Sequence, residues 1–209
     1  MKHIADSTVR RLSLYLRFLE DFERQGHTTI SSGELARSGG TTSAQVRKDL
    51  SFFGSFGKRG LGYGVSDLIA SLRHILGLEA RWTVVIVGAG KIGAALAQYR
   101  GFGTHGFDVV GIYDTDPARV GTHLNGVTVR ADHDLEGDIA ALAPRIAVLC
   151  VPGEAAQAAL DRVVAAGIRA VLNFAPTSLV APEGVTVRAV NMATELEVLA
   201  YALTNEARD

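Results

Sequence analysis

Three absences narrow the reading before any motif is considered. A single cysteine, Cys150, occurs in the 209 residues, so no disulfide can close within the chain and sulfur-based redox sensing is not expected. It sits in the apolar string "IAVLCVP", where a free thiol reads as ordinary core. No apolar run reaches the roughly eighteen residues that a membrane span requires. The N-terminal "MKHIADSTVRRLSLYLRFLEDFERQ" is charged throughout and lacks a signal peptide's apolar centre, which predicts a cytoplasmic protein. Chemistry of the enzymatic kind is also missing. His3, His27, His74, His105, His123 and His133 lie in no catalytic motif, and no Cys/His/carboxylate group has metal-ligand spacing. A hydride-transfer enzyme needs a substrate pocket and usually a proton donor or acceptor near the ring. We find none, nor a separate substrate domain, so no catalytic residue, no metal and no enzyme activity are expected.

Charge is what the chain distributes unevenly. The formal net charge is −1, but residues 1–82 hold twelve Lys and Arg against eight Asp and Glu, while residues 83–209 hold nine against fourteen. A basic front and an acidic back suggest a nucleic-acid partner for the front alone.

The front reads as helices. "STVRRLSLYLRFLEDFERQG" places Val9, Leu12, Leu16 and Leu19 on one face, with Tyr15, Phe18 and Phe22 beside them and Gly26 as a stop. Ser31 and Glu34 stand in capping-box register before a short helix ending at Gly39 and Gly40. Thr42 and Gln45 repeat that register, and Val46, Leu50 and Phe53 line the inner face of the next helix. Two helices across a tight glycine turn form a helix-turn-helix. The glycine-studded "GSFGKRGLGYGVSD" then suits a β-hairpin wing, and "SDLIASLRHILGLEARW" predicts a helix capped by Ser66.

From Thr83 the period changes. "TVVIVGAG", "DVVGIYD", "IAVLCVP" and "RAVLNFAP" are short apolar strands, alternating with helical "KIGAALAQY" and "EAAQAALDRVVAAG". That alternation predicts a parallel sheet covered on both faces. The tail "ATELEVLAYALTNEARD" is apolar nearly all round, so it should be covered by its own domain or by a partner subunit. The expected organisation is a winged helix-turn-helix domain over 1–80, a Rossmann-type doubly wound domain over 81–190, and a C-terminal helix over 191–209.

Gly88, Gly90 and Gly93 spell G-x-G-x-x-G between a strand and a helix. The first glycine permits the tight turn, the second admits a pyrophosphate, and the third lets helix and strand pack closely. With Ala89, Lys91 and Ile92 they form a candidate phosphate cradle on a helix N-terminus. Asp114 ends the second strand, 21 positions after Gly93, where an acid accepts from ribose hydroxyls and disfavours the 2′-phosphate of NADP. In the front half, Ser43, Gln45, Arg47 and Lys48 occupy the turns that would enter a major groove, where Arg pairs with guanine and Gln with adenine. Lys58, Arg59, Gly60 and Tyr63 belong to the wing, with Lys58 and Arg59 suited to a narrow minor groove. Arg10, Arg11 and Arg17 on the first helix are candidates for phosphate contacts or interdomain salt bridges.

Together, "QVRKDLSFFGSFGKRGLGYGV", "VVIVGAGKIGAALAQYRGF", "YDTDP", "VPGEAAQ" and "LNFAP" closely resemble the Rex family of bacterial redox-sensing repressors. The resemblance runs in order along nearly the whole chain, and the first motif is its most specific part. It implies homodimers with a C-terminal helix exchanged between subunits. It also implies binding to palindromic operator DNA under NAD+ and release by NADH. Carried over, it places Tyr99, Val151, Pro152, Asn173, Phe174 and Ala175 toward the nicotinamide, and Arg17 in the interdomain switch. Asn191 stands where such chains often carry an Asp before the last helix, so only a neutral hydrogen bond could form with Arg17. The competing reading is a small NAD-dependent oxidoreductase with a basic docking head. A weaker third is a regulator that binds CoA or NADP, the latter opposed by Asp114.

Overall fold

The computed structural model describes residues 4–57 and 62–206. Lys58, Arg59 and Gly60 of the expected wing lie outside the described residues. The chain divides into two compact units, Met1–Ala80 and Arg81–Asp209.

In the first unit, α1 (Asp6–Arg24) has the predicted stripe, with Leu12, Tyr15, Leu16 and Leu19 buried. β1 (Thr29–Ile30) precedes α2 (Ser32–Ser38) and α3 (Ser43–Ser51). The α2 capping box is complete: the Ser31 hydroxyl accepts from Glu34 N–H, and the Glu34 carboxylate accepts from Ser31 N–H at 2.8 Å. At α3 only half a box forms. Thr42 Oγ1 accepts from Gln45 N–H, but the Gln45 side chain turns along its own helix to Asp49.

β2 (Tyr63–Gly64) pairs antiparallel with β1, Ile30 opposite Tyr63, and α4 (Val65–Ile75) follows at once. The described part of the glycine-rich segment is therefore tied to β1. Val65 N–H donates to the Thr28 carbonyl at 3.0 Å, which starts the helix directly after the strand. Gly64 takes the N-cap position, and Ser66 instead donates to Glu23 of α1 at 2.6 Å. Leu12, Leu19, Leu35, Val46, Leu50, Leu68 and Leu72 form the heart of one core, each leucine contributing about 1.5–3 kcal/mol by burial.

The second unit is a seven-stranded sheet among the described residues. Its strands are β3 (Trp82–Val87), β4 (Phe107–Asp114), β5 (His123–Leu124), β6 (Val127–Ala131), β7 (Ile146–Leu149), β8 (Ala170–Asn173) and β9 (Thr186–Ala189). They lie in the order β5-β6-β4-β3-β7-β8-β9, all parallel except the β5–β6 pair. The helices are α5 (Lys91–Ala97), α6 (Gly101–Thr104), α7 (Leu135–Leu142), α8 (Gly153–Ala165) and α9 (Met192–Glu206). Successive residues of β3 face opposite ways: Val84 and Ile86 pack with Ala97 of α5, while Val85 and Val87 pack with residues of α7 and α8. That explains why the strands are apolar throughout rather than alternating.

β5, β6, β9 and α7 were not legible in the sequence; they are short or half-exposed and carry no continuous apolar run. The sequence left α9 two covers, its own domain or a partner subunit. Leu196, Leu199, Tyr201 and Leu203 are 67%, 60%, 73% and 69% exposed, so the helix does not pack on its own domain. No described helix is long and apolar enough to cross a membrane.

Candidate functional site

The chain leaves β3 and moves to β4 on one side of the sheet, later returning to β7 on the other. Strand order reverses at β3, and α/β sheets bind ligands outside the carboxyl ends of strands at such a reversal. A groove of about 480 Å³ opens there. Its lining includes Val87, Gly88, Gly90, Lys91, Ile92, Asp114, Asp116, Arg119, Cys150, Val151 and Pro152.

Backbone shape makes the cradle. Gly88 has φ +97°, and a Cβ there would lie 2.5 Å from the Cys150 carbonyl oxygen. A Cβ on Gly93 would overlap the Gly88 carbonyl oxygen, so α5 can press against the loop only with glycine at that place. At Gly90, the N-cap of α5, a Cβ would meet only an Arg119 nitrogen at 4.0 Å. The missing side chain thus leaves open space beside the first, unpaired N–H groups of a helix, the setting that receives a phosphate.

Asp114 is 6% exposed. Its carboxylate accepts from Ala89 N–H at 2.6 Å, Asp116 N–H at 2.8 Å and Arg119 Nη1 at 3.1 Å. Burial alone would raise its pKa. The two backbone donors and the guanidinium outweigh that and hold it below the usual carboxylate value. The acid is charged and also shapes the loop, while Arg119 is its exposed partner. Cys150 lies at the groove, its thiol pushed up to about 12 by burial. It is a poor nucleophile at neutral pH, since the thiolate is the reactive form.

Other residues carried from the resemblance fall elsewhere. Tyr99 is 53% exposed, in the link between α5 and α6, over Gly101 and edge-on to Phe102 at 5.3 Å. It lines a separate depression of about 290 Å³ with Arg100, Phe107 and Asn125. Asn173 is buried and its amide serves its own loop, accepting from Ala175 N–H and donating to the Ala175 and Thr177 carbonyls. Phe174 packs in the core and Ala175 is buried. The Asn191 Oδ1 accepts from Ala193 N–H at 3.0 Å, stapling the start of α9.

In the first unit the helix-turn-helix candidates separate. Arg47 and Lys48 are exposed on α3 and Ser43 is half-buried at its start. Arg47 donates to Ser32 of α2 at 2.9 Å. Arg10 and Arg17 are exposed. Three expectations need correction. Arg11 is not a free phosphate ligand: its Nε and Nη2 fork onto Asp49 at 2.6 and 2.7 Å. The Gln45 side chain is not free either: its amide nitrogen donates one of its two N–H groups to the same carboxylate at 2.8 Å, leaving one for a base. Tyr63 is only 9% exposed and belongs to the core beneath the strand pair. Sequence reasoning missed Asp49. A lone acid in "QVRKDL" looks solvated, and only its place on the buried side of α3, one turn from Gln45, could have marked it.

A helix-turn-helix unit and a glycine-cradled dinucleotide-type groove on one chain define a ligand-responsive DNA-binding regulator. Residues 3–51 match the family described as "Putative DNA-binding protein N-terminus", and residues 79–177 match "CoA binding domain". The chain belongs to the Rex family of redox-sensing transcriptional repressors. It is 44% identical to the redox-sensing transcriptional repressor Rex of Carboxydothermus hydrogenoformans, over 97% of this chain and 98% of that one. It is 46% identical to that of Desulfitobacterium hafniense, over 95% and 94%. Its structure resembles the Rex-family repressor RSP in complex with NAD+ and operator DNA, with a TM-score of 0.92 and 37% identity over 99% of this chain and 95% of that one. RSP is also known bound to NADH, TM-score 0.90, with 36% identity over 99% and 97% of the two chains. The relatives are named as repressors, a non-enzymatic role, which sets aside the oxidoreductase reading.

Proposed function

We propose that this chain is a homodimeric cytoplasmic repressor that holds palindromic operator DNA while NAD+ predominates and lets go when NADH binds. The observation that carries it is the Gly88–Gly93 cradle with the charged Asp114 at its edge, on the same chain as the exposed Arg47 and Lys48 of α3. Gly88 to Gly93, Asp114, Val151 and Pro152 hold the dinucleotide. A ribose hydroxyl replaces Arg119 on the Asp114 carboxylate. Ser43, Arg47 and Lys48, with Lys58, Arg59 and Gly60 of the wing, meet DNA. Arg10 and Arg17 supply phosphate contacts.

Oxidised and reduced dinucleotides differ by one hydride and one positive charge on the ring. Closing a pocket over the neutral ring desolvates less charge. The apolar α9 seats on a second copy, and Tyr99, Asn191 and Arg17, all exposed in the single chain, form the switch between states. Palindromic half-sites lie a fixed helical turn or multiple apart, so a change in head spacing removes simultaneous contact. Swinging a two-state equilibrium from about 1:99 to 99:1 takes roughly 5.5 kcal/mol of differential binding, which two sites per dimer share.

The test is fluorescence anisotropy of a labelled palindromic A·T-rich duplex at fixed salt, titrated with NADH and then NAD+. Release by NADH at concentrations where NAD+ leaves the complex intact is the expected result. Equal effects of both at saturation would remove the redox sensor.

A further inference from the structure

We propose that Asp49 and Arg11 are positioning residues for DNA reading: their buried fork fixes the roll of α3 so that Arg47 and Lys48 face outward. This rests on the DNA-binding reading of the first unit. α3 is only nine residues long and presents Val46 and Leu50 to the core as its buried apolar side chains. Two knobs four residues apart define a single line of contact, about which a short helix can roll. Asp49 is the neighbour of Leu50, about 100° round the helix, and supplies a third fixed point off that line.

Its carboxylate is fully buried and accepts four side-chain hydrogen bonds. Two come from the Arg11 fork, one from Tyr15 Oη at 3.0 Å and one from Gln45 Nε2. Arg11 is itself held by Thr8 Oγ1 at 3.0 Å. Burial works against the carboxylate's charge, but Arg11, Gln45 and Tyr15 together keep its pKa below the usual value, so the fork stays ionic at neutral pH. A fork of two parallel N–H···O bonds fixes angle as well as distance.

Buried ion pairs are often replaceable by apolar side chains without loss of stability, so stability alone does not account for a four-donor hub. Orientation does. A roll of one residue one way would bring Lys48 to the buried place of Asp49, and a roll the other way would turn Arg47 to the core and carry Asp49 to the surface beside the phosphates. The hub also ties one of the two Gln45 amide N–H groups, so that side chain lies along its own helix.

The test uses the full chain. Wild-type protein selects a duplex from a pool of palindromes. Affinity for that duplex and for a scrambled duplex of the same composition is then measured across a salt series. Arg11→Lys keeps the charge and loses the fork. Tyr15→Phe removes one donor with little risk to folding. Expected for Arg11→Lys is a fall of about tenfold or more in the preference for the selected duplex, with scrambled-duplex affinity and salt slope unchanged within about twofold. Tyr15→Phe should show a smaller loss of the same kind. Lowered melting temperature with undiminished preference in both variants would make the hub merely structural and overturn the inference. A parallel loss on both duplexes with a shallower salt slope would make Arg11 a phosphate ligand and overturn it equally. If the wild type selects nothing from the pool, the DNA-binding reading itself fails.

Discussion

Each unit is organised around one buried aspartate, and the two do different work. Asp49 gathers side chains from two helices 34 to 38 positions apart in sequence. Asp114 gathers two backbone N–H groups and a near neighbour, Arg119. The first acid holds one element against another; the second holds a loop in shape. A reading head needs rigid placement of side chains against a duplex. A phosphate cradle needs rigid placement of its own main chain. In both, charge paired in the interior provides direction where apolar contacts alone would leave freedom.

The contrast predicts separable damage. Gly93→Val should have the largest effect: overlap with the Gly88 carbonyl should destabilise the second unit by about 3 kcal/mol or more and leave calorimetry with NADH flat. Asp49→Ala strands the Arg11 guanidinium. It should cost the first unit about 3 kcal/mol in thermal unfolding, at the low end for a broken buried pair because Arg11 stays a quarter exposed. NADH affinity should be intact. Were NADH affinity to fall as well, the two hubs would not be independent. Asp114→Ala should weaken NADH binding by about 1–3 kcal/mol through the orphaned Ala89 and Asp116 N–H groups. DNA binding by the ligand-free protein should be spared.

The smallest effect is in pH. Both acids have folded pKa values held below their ordinary ones. Each therefore adds stability that is complete above about pH 4, where the unfolded carboxylate ionises, and is lost as pH falls through the folded pKa. Asp49→Asn should flatten the acid limb of the first unit's unfolding curve and leave the second unit's unchanged.

Legibility followed the same division. The Asp114 site could be read because its parts are local: glycines at fixed spacing, a strand before them, an acid after the next strand. The Ser31–Glu34 box was legible for the same reason. The Asp49 hub was not, because Arg11 and Asp49 meet only once two helices have packed. Arg11 and Gln45 accordingly looked like free DNA ligands. Ser66 looked like a cap because nothing in its neighbourhood announces that strand pairing at Gly64 starts the helix first. Tyr99 and Asn173 were carried to the groove by resemblance, and the single chain places one on an exposed link and the other inside its own loop.

The open face of α9 has a consequence in mass action. A lone fifteen-residue helix is marginal in water, and the apolar side chains it shows to solvent belong to no core of its own chain. If a second copy is its cover, folding of this segment and assembly are one equilibrium, and helical content becomes a function of protein concentration. Dilution would unwind the tail before either unit melts, and abundance in the cell would set what fraction of chains is competent to respond at all.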